Sequence, residues 1–406
     1  MEENIKDILD ATQSLRDLAM NEAEELDEII VDNNNNIDLN VDYPYLIFKR
    51  DDLIRTMNLC NKIVQSKSDV TSYNSISFIP KVSEKSMYFY ATNELSHFRY
   101  KTELLGDINE MLNINISIPL VILQKLVKLM GNKVLIYKKD LNLYIRLLDG
   151  DLLLDFRQPD SKIIEFPGRV NEKLAELSVY SLGYVVNSIL PLLSAEVRGE
   201  ARKISFTGEK AYYNSSFYYI EALINSPQMS LSFRDAEFIS KIFKYYKEKQ
   251  IQIWSVDSNL SRLFFKIDNI EYQFINSVNS ISILMTQQME KVITPIESLV
   301  NYDRLYKIVN LATSLPTSTG NVNLQYLDKK LQATIVSVKG NSDFKFSTEL
   351  IDGVKLYNKE VLVKAETLRR LLSSFAGIDR IGIALADLGI TLEYKGIKAI
   401  MMHTDA

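Results

Sequence analysis

One cysteine stands in 406 residues, so the chain cannot close a disulfide on itself. That usage points to a reducing, cytoplasmic setting, and Cys60 lies on the apolar face of a predicted helix, where it reads as a small core residue rather than a nucleophile. Histidine is almost as scarce: His97 and His403 fall in separate predicted strands. No His/Cys/Glu spacing resembles a zinc or metalloprotease site. The 14 glycines form neither a Walker loop nor G-x-G-x-x-G. No apolar run approaches the roughly 18 residues of a membrane span, and the acidic N-terminus lacks the basic start and apolar core of a signal peptide. The expectation is a non-catalytic protein with no cofactor, no metal and no membrane contact. Asp51-Asp52 resembles a nuclease metal pair only superficially, because acids at a helix start are explained by capping and the helix dipole. The 22 Tyr and 17 Phe offer rings for stacking single-stranded bases, but on alternating strands they serve as core and cross-strand pairs.

What is present is a charge asymmetry. Residues 1–44 hold thirteen Asp and Glu against Lys6 and Arg16, a net of −11, within a chain of net −5. The other 362 residues are therefore +6, a mildly basic body behind an acidic extension. Ile5, Ile8, Leu15, Leu18 and Ile29 recur at helical spacing in that extension, and "VDNNNNIDLNVDYP" reads as a linker. A linker of about 12 residues spans near 20 Å. The extension is expected to act on the body electrostatically as a DNA mimic, to hook another protein, or to serve as a plain solubility tail.

From Tyr45 onward a pattern recurs. A strand, "YLIFKR", runs into a helix with an apolar stripe at Leu53, Met57, Cys60 and Val64. Strands "SISFIP", "SMYFYATN" and "LSHFRYKTEL" follow, then "ISIPLVILQKLVKLMG" as strand and helix with Pro119 at the helix start. Three more strands close the unit. The same order returns with helices at about 178–194 and 233–247, and again at about 301–314 and 364–375. Three units of two helices and many antiparallel strands predict an α+β chain with helices on one side of the sheets.

Cations are distributed by helix. In "FRDAEFISKIFKYYKEK", Ala236, Ile239, Ile242, Phe243 and Tyr246 form an apolar face, while Arg234, Lys241, Lys244 and Lys247 form a basic one. The first helix carries Arg55 and Lys62, the second Lys125 and Lys128, the fifth Arg304 and Lys307, and the sixth Arg369 and Arg370. The third carries none; Tyr184, Asn187 and Ser188 make its polar side. Five of six helices thus oppose cations to a core stripe.

In order and spacing, these stretches resemble the bacterial-type sliding clamp, the β subunit family of DNA polymerase III. "YLIFKRDDLIRTMNLCNKIV" is similar to the family's opening strand and helix, "MYFYATNELSHFRYKTEL" to its first hairpin, and "ISIPLVILQKLVKLM" to its second strand and helix. "LLLDFRQPDSKIIEFPG" is similar to the exit from its first domain, and "RIGIALADLGITLEYKGIKAIMMHT" to its closing strands. The resemblance covers about 45–406. It implies three tandem clamp domains, at 45–168, 169–292 and 293–406, behind the extension 1–44. It also implies a homodimeric ring around double-stranded DNA without sequence preference, tethering a DNA polymerase and opened by a clamp loader. The cations named above would line the pore, where phosphate contacts give affinity without reading bases.

A partner-peptide pocket between the second and third domains is implied as well, with Phe217, Tyr219, Leu284, Met285, Met401 and Met402 as candidates. The turn "YYNSSFYY", the linker "SVNSISILMTQQMEKVITP" and the end "MMHTDA" depart from the family pattern at that pocket. Such divergence suits a bacteriophage or other mobile-element clamp. A ring-forming phage structural protein and a clamp-derived DNA-binding accessory factor remain the alternatives.

Overall fold

The structure is a computed structural model that describes residues 43–64, 71–93, 95–106, 115–154, 171–194, 203–215, 218–276, 296, 298–315, 318–327, 330–337, 344–353, 360–386 and 389–402. The acidic extension up to residue 42 lies outside the described residues. So do the stretches 155–170 and 277–295, on which the predicted boundaries near 168 and 292 fall.

One order of ten elements occurs three times. The first set is β1 (Tyr45–Lys49), α1 (Arg50–Cys60), β2 (Ser75–Lys81), β3 (Ser86–Thr92), β4 (Ser96–Glu103), β5 (Ile116–Pro119), α2 (Leu120–Leu126), β6 (Lys133–Lys139), β7 (Asn142–Leu147) and β8 (Gly150–Leu154). The second is β9 (Glu172–Ser178), α3 (Val179–Ser194), β10 (Lys203–Phe206), β11 (Lys210–Asn214), β12 (Tyr218–Leu223), β13 (Met229–Ser232), α4 (Phe233–Tyr246), β14 (Gln250–Ser255), β15 (Arg262–Ile267) and β16 (Ile270–Ile275). The third is β17 (Ser298–Asn301), α5 (Tyr302–Ser314), β18 (Ser318–Leu327), β19 (Lys330–Ser337), β20 (Phe344–Gly353), β21 (Glu360–Lys364), α6 (Ala365–Ser373), β22 (Arg380–Ala386), β23 (Gly389–Tyr394) and β24 (Ile397–Met402). A helical turn, Thr71–Asn74, is an addition to the first set.

Each helix is entered directly from a strand. Four of these lead-in strands, β9, β13, β17 and β21, escape the sequence reading. Three of them are only four or five residues long, and all four pass into the helix without a Gly or Pro, so the helical period masks them. Side-chain caps mark two of the switches. Ser232 accepts from the Asp235 amide while the Asp235 carboxylate accepts from the Ser232 amide, a capping box. Asn301 accepts from the Arg304 amide at 2.9 Å.

The sheets run through the units. β5-β2-β3-β4 of the first continues antiparallel into β16-β15-β14-β9 of the second. β13-β10-β11-β12 of the second continues into β24-β23-β22-β17 of the third, and on into β20-β19-β18-β21. β1-β6-β7-β8 of the first stands apart as a four-stranded sheet. The register pairs Tyr272 with Phe98 at one join and Tyr218 with Met401 at the other.

The predicted stripe of α1 is buried throughout: Leu53, Met57, Cys60 and Val64 all enter the core. Burial pushes the Cys60 thiol up to about 12, as expected of an inert core sulfur. α4 buries one ring more than the sequence reading assigned to it. Phe238 is fully enclosed and Phe243 only partly. The reason is the join: the Phe238 ring lies 5.7 Å from Phe98 of β4 in the first unit and 4.0 Å from Tyr272 of β16, the strand that pairs with β4. A helix at a join has two surfaces to cover, which widens its apolar arc.

Candidate nucleic-acid interface

Five helices form one unbroken row, α1–α4–α3–α6–α5, each packed on the next. Their buried faces meet the sheets, so their polar faces lie on the side away from the sheets. The predicted cations of α1, α4, α5 and α6 occupy those faces, while Lys125 of α2 and Lys128 just after it lie outside the row, and together they fall into three electrostatic conditions.

Lys125, Lys128, Arg234, Lys244, Lys247, Arg304 and Lys307 are exposed. These are free to meet phosphate. Arg55, Arg369 and Arg370 are partly covered and already engaged. Arg55 lies 4.0 Å from Asp52 and 3.3 Å from the Tyr100 hydroxyl, whereas Arg369 and Arg370 share Glu366 at 2.9 to 3.0 Å. Glu366 is only partly covered, and the two guanidiniums overcome the opposing effect of burial to hold its carboxyl below the usual range.

Lys62 and Lys241 belong to the α1–α4 joint. Lys62 reaches Glu237 at 3.2 Å. Lys241 donates to the Asn58 carbonyl at 2.8 Å and also to the Asn61 side chain, at the C-terminal end of α1 where carbonyls lack helical partners. Burial, then the nearby Lys62, lowers the Lys241 ammonium to about 8. It is a strap between units before it is a surface charge.

The acids at the start of α1 do not converge as a metal pair would. Asp52 accepts from the Tyr100 hydroxyl at 3.0 Å and from Thr102 at 2.5 Å, tying α1 to β4. Among the described residues, no three His, Cys, Asp or Glu gather as a metal site requires. No described helix is long and apolar enough to cross a membrane.

α3 differs. Ser188, assigned to its polar side from sequence, is buried and donates to the Tyr184 carbonyl at 2.9 Å. The outward positions include Tyr180, Ser181, Tyr184 and Asn187. Gly183 sits where a Cβ would come within 2.4 Å of the Phe243 ring, which is how α3 and α4 approach so closely.

The peptide-pocket candidates are only partly described. Phe217, Leu284 and Met285 lie outside the described residues, and of Met402 only the backbone pairing with Gly389 is described. Tyr219 and Met401 do not share a surface. Tyr219 registers with Ile400, and Met401 registers with Tyr218, so the two side chains leave opposite faces of the β12–β24 ribbon. Met401 is 1% exposed and packs in the core, and Tyr219 is buried with its hydroxyl 2.7 Å from Glu221.

No protein-family model matches this sequence, and no curated protein matches it by sequence. Solved structures do match it in fold. The DNA polymerase III β subunit of Thermotoga maritima aligns with a TM-score of 0.72 at 12% identity, covering 89% of this chain and 99% of its own. The DNA polymerase β subunit of Streptococcus pyogenes aligns at 0.73 and 13%, covering 89% and 100%. The sliding clamp of Pseudomonas aeruginosa aligns at 0.71 and 10%, covering 89% and 99%. The fold is that of the DNA polymerase sliding clamps, as the resemblance implied.

Proposed function

We propose that the protein is a sliding clamp: a non-catalytic ring of two copies that encloses duplex DNA and tethers a DNA polymerase. The likeness in fold supports the class, and one observation carries the closed ring. Each unit offers a strand equivalent to β4 and a strand equivalent to β8. Within the chain the pairing is made twice, β4 to β16 and β12 to β24. The third pair, β20 and β8, is left over. No described strand covers the outer edge of β8, and β17 takes only the far end of β20, from Leu350 to Gly353.

Such edges are pairing templates. β8 is also apolar where it is bare, with Leu153 53% exposed beside Leu152. Together with Ile122 of α2, these leucines line an open groove of about 440 Å³. The helix row ends in the same way. The α1–α4 and α3–α6 contacts are made inside the chain, so α5 of one copy is left to meet α2 of another. Two copies joined twice in this manner give six units and leave neither β8 nor β20 without a partner.

The exposed cations of the helix row then face the hole. Non-specific phosphate attraction with no base contacts is what sliding requires. A clamp loader and a polymerase are the partners this reading entails. Light scattering with retention on circular but not linear duplex DNA tests it. A stable monomer at micromolar concentration, or equal retention on both DNAs, defeats it.

A further inference from the structure

A cavity of about 620 Å³ opens between α3 and α6 at the join of the second and third units. Its position matters because the equivalent α1–α4 joint is bridged by Lys241, Asn58 and Tyr245 and by the Lys62–Glu237 pair. The repeat therefore does not impose a cavity here. Its wall is aromatic on one side: Tyr180 is 52% exposed, its ring parallel to Tyr184 within 7° at 6.4 Å and 5.8 Å from Phe243.

The opposite wall holds Ser374, whose buried Oγ has no hydrogen-bond partner. Asn187 adds an amide from α3. Lys395 is the one charged residue of the lining, at the tip of the β23–β24 turn, where Lys395 and Gly396 both have positive φ.

We propose that this cavity receives one unpaired nucleobase of a DNA strand, stacked on Tyr180 and Tyr184, with Asn187 on the base edge and Lys395 on its phosphate. The proposal rests on the clamp reading only in placing DNA along the helix row. α3 is the helix of that row with no cation, and it carries rings instead. Stacking is tolerant of sequence, since every base has a π-face. An apolar peptide anchor fits less well, because it would leave the Asn187 amide unpaired.

The test uses the full chain and a 12-nucleotide oligothymidylate with one central 2-aminopurine. The wild type is expected to bind it and quench the probe. Tyr180→Ala with Tyr184→Ala should weaken binding about 5- to 150-fold, from stacking of about 1–3 kcal/mol per base, and abolish the quench. Tyr180→Phe should retain both, which controls for misfolding. Lys395→Ala should lower the salt slope by about 0.7. Retention on circular duplex should survive the tyrosine changes. Oligonucleotide affinity within twofold of wild type, with the quench intact, overturns the proposal. A loss confined to polymerase binding overturns it too and assigns the cavity to a peptide. If wild type is not retained on circles but the tyrosine changes still cost fivefold or more, the clamp reading falls and the base site stands.

Discussion

The Lys241 ammonium of α4 caps the end of α1 by donating to the Asn58 carbonyl 2.8 Å away, across the join between the first and second units. Of a basic row that looks uniform in sequence, this member is structural.

Its titration should be visible in stability. The Lys241 value of about 8 lies below the usual 10.5, through burial and then Lys62, with Glu237 and Cys60 acting the other way and Lys244 adding to the lowering. Between those values the unfolded chain holds a proton that the folded chain has released. Unfolding therefore binds a proton, and stability from this group rises with pH across the window. Urea midpoints of the wild type at pH 7.5 and 9 should rise relative to those of Lys241→Met. Parallel trends in the two proteins would dismiss this assignment.

The His97 ring at the β4–β16 join titrates in the same sense at lower pH. Burial, then Arg262, lowers its value below 6.5, and its Nδ1 lies 2.6 Å from the Thr92 hydroxyl. The folded chain resists protonating it, so stability should fall as pH drops below about 6.5. His97→Gln should flatten that fall in a denaturation series from pH 7 to 5.

The exposed cations and the engaged ones should separate in DNA binding. Lys125→Glu, Lys128→Glu, Arg304→Glu and Lys307→Glu together are expected to reduce the salt slope of duplex association by up to about 0.9 per lost phosphate contact. Arg370→Ala should do far less, because Glu366 already holds that guanidinium. Affinities between 50 and 200 mM salt decide, and equal effects would refute the distinction.

Ring closure predicts a monomer from one edit. Leu153→Glu places a charge on the bare edge of β8 and should halve the mass in solution. The fold should hold, since an exposed site shifts stability by only about 0.5 kcal/mol.

At the α3–α4 crossing, Gly183→Ala should cost about 1–3 kcal/mol by overpacking against Phe243. Adding Phe243→Ala should recover part of that loss. Additive losses in the double variant would place the strain elsewhere.

The three-unit order, the six helices and their core stripes were legible in the sequence, because periods of two and 3.6 are local properties that single residues report. Leu53, Met57 and Cys60 went where their spacing sent them. Whether a cation faces solvent was not legible. Lys241 and Lys244 sit three apart on one helix, yet one straps a joint and the other is exposed, since the difference comes from residues about 180 positions away. The same holds for Phe238, drawn inward by rings of β4 and β16, and for Met401, whose strand register sets it in the core facing away from Tyr219. Tyr180 attracted no notice in the sequence, because an exposed tyrosine on a helix is ordinary until a cavity opens beside it. Local patterning chose the elements; the packing of one unit on the next decided which side chains remained available to a partner, because availability depends on what covers a surface and not on what composes it.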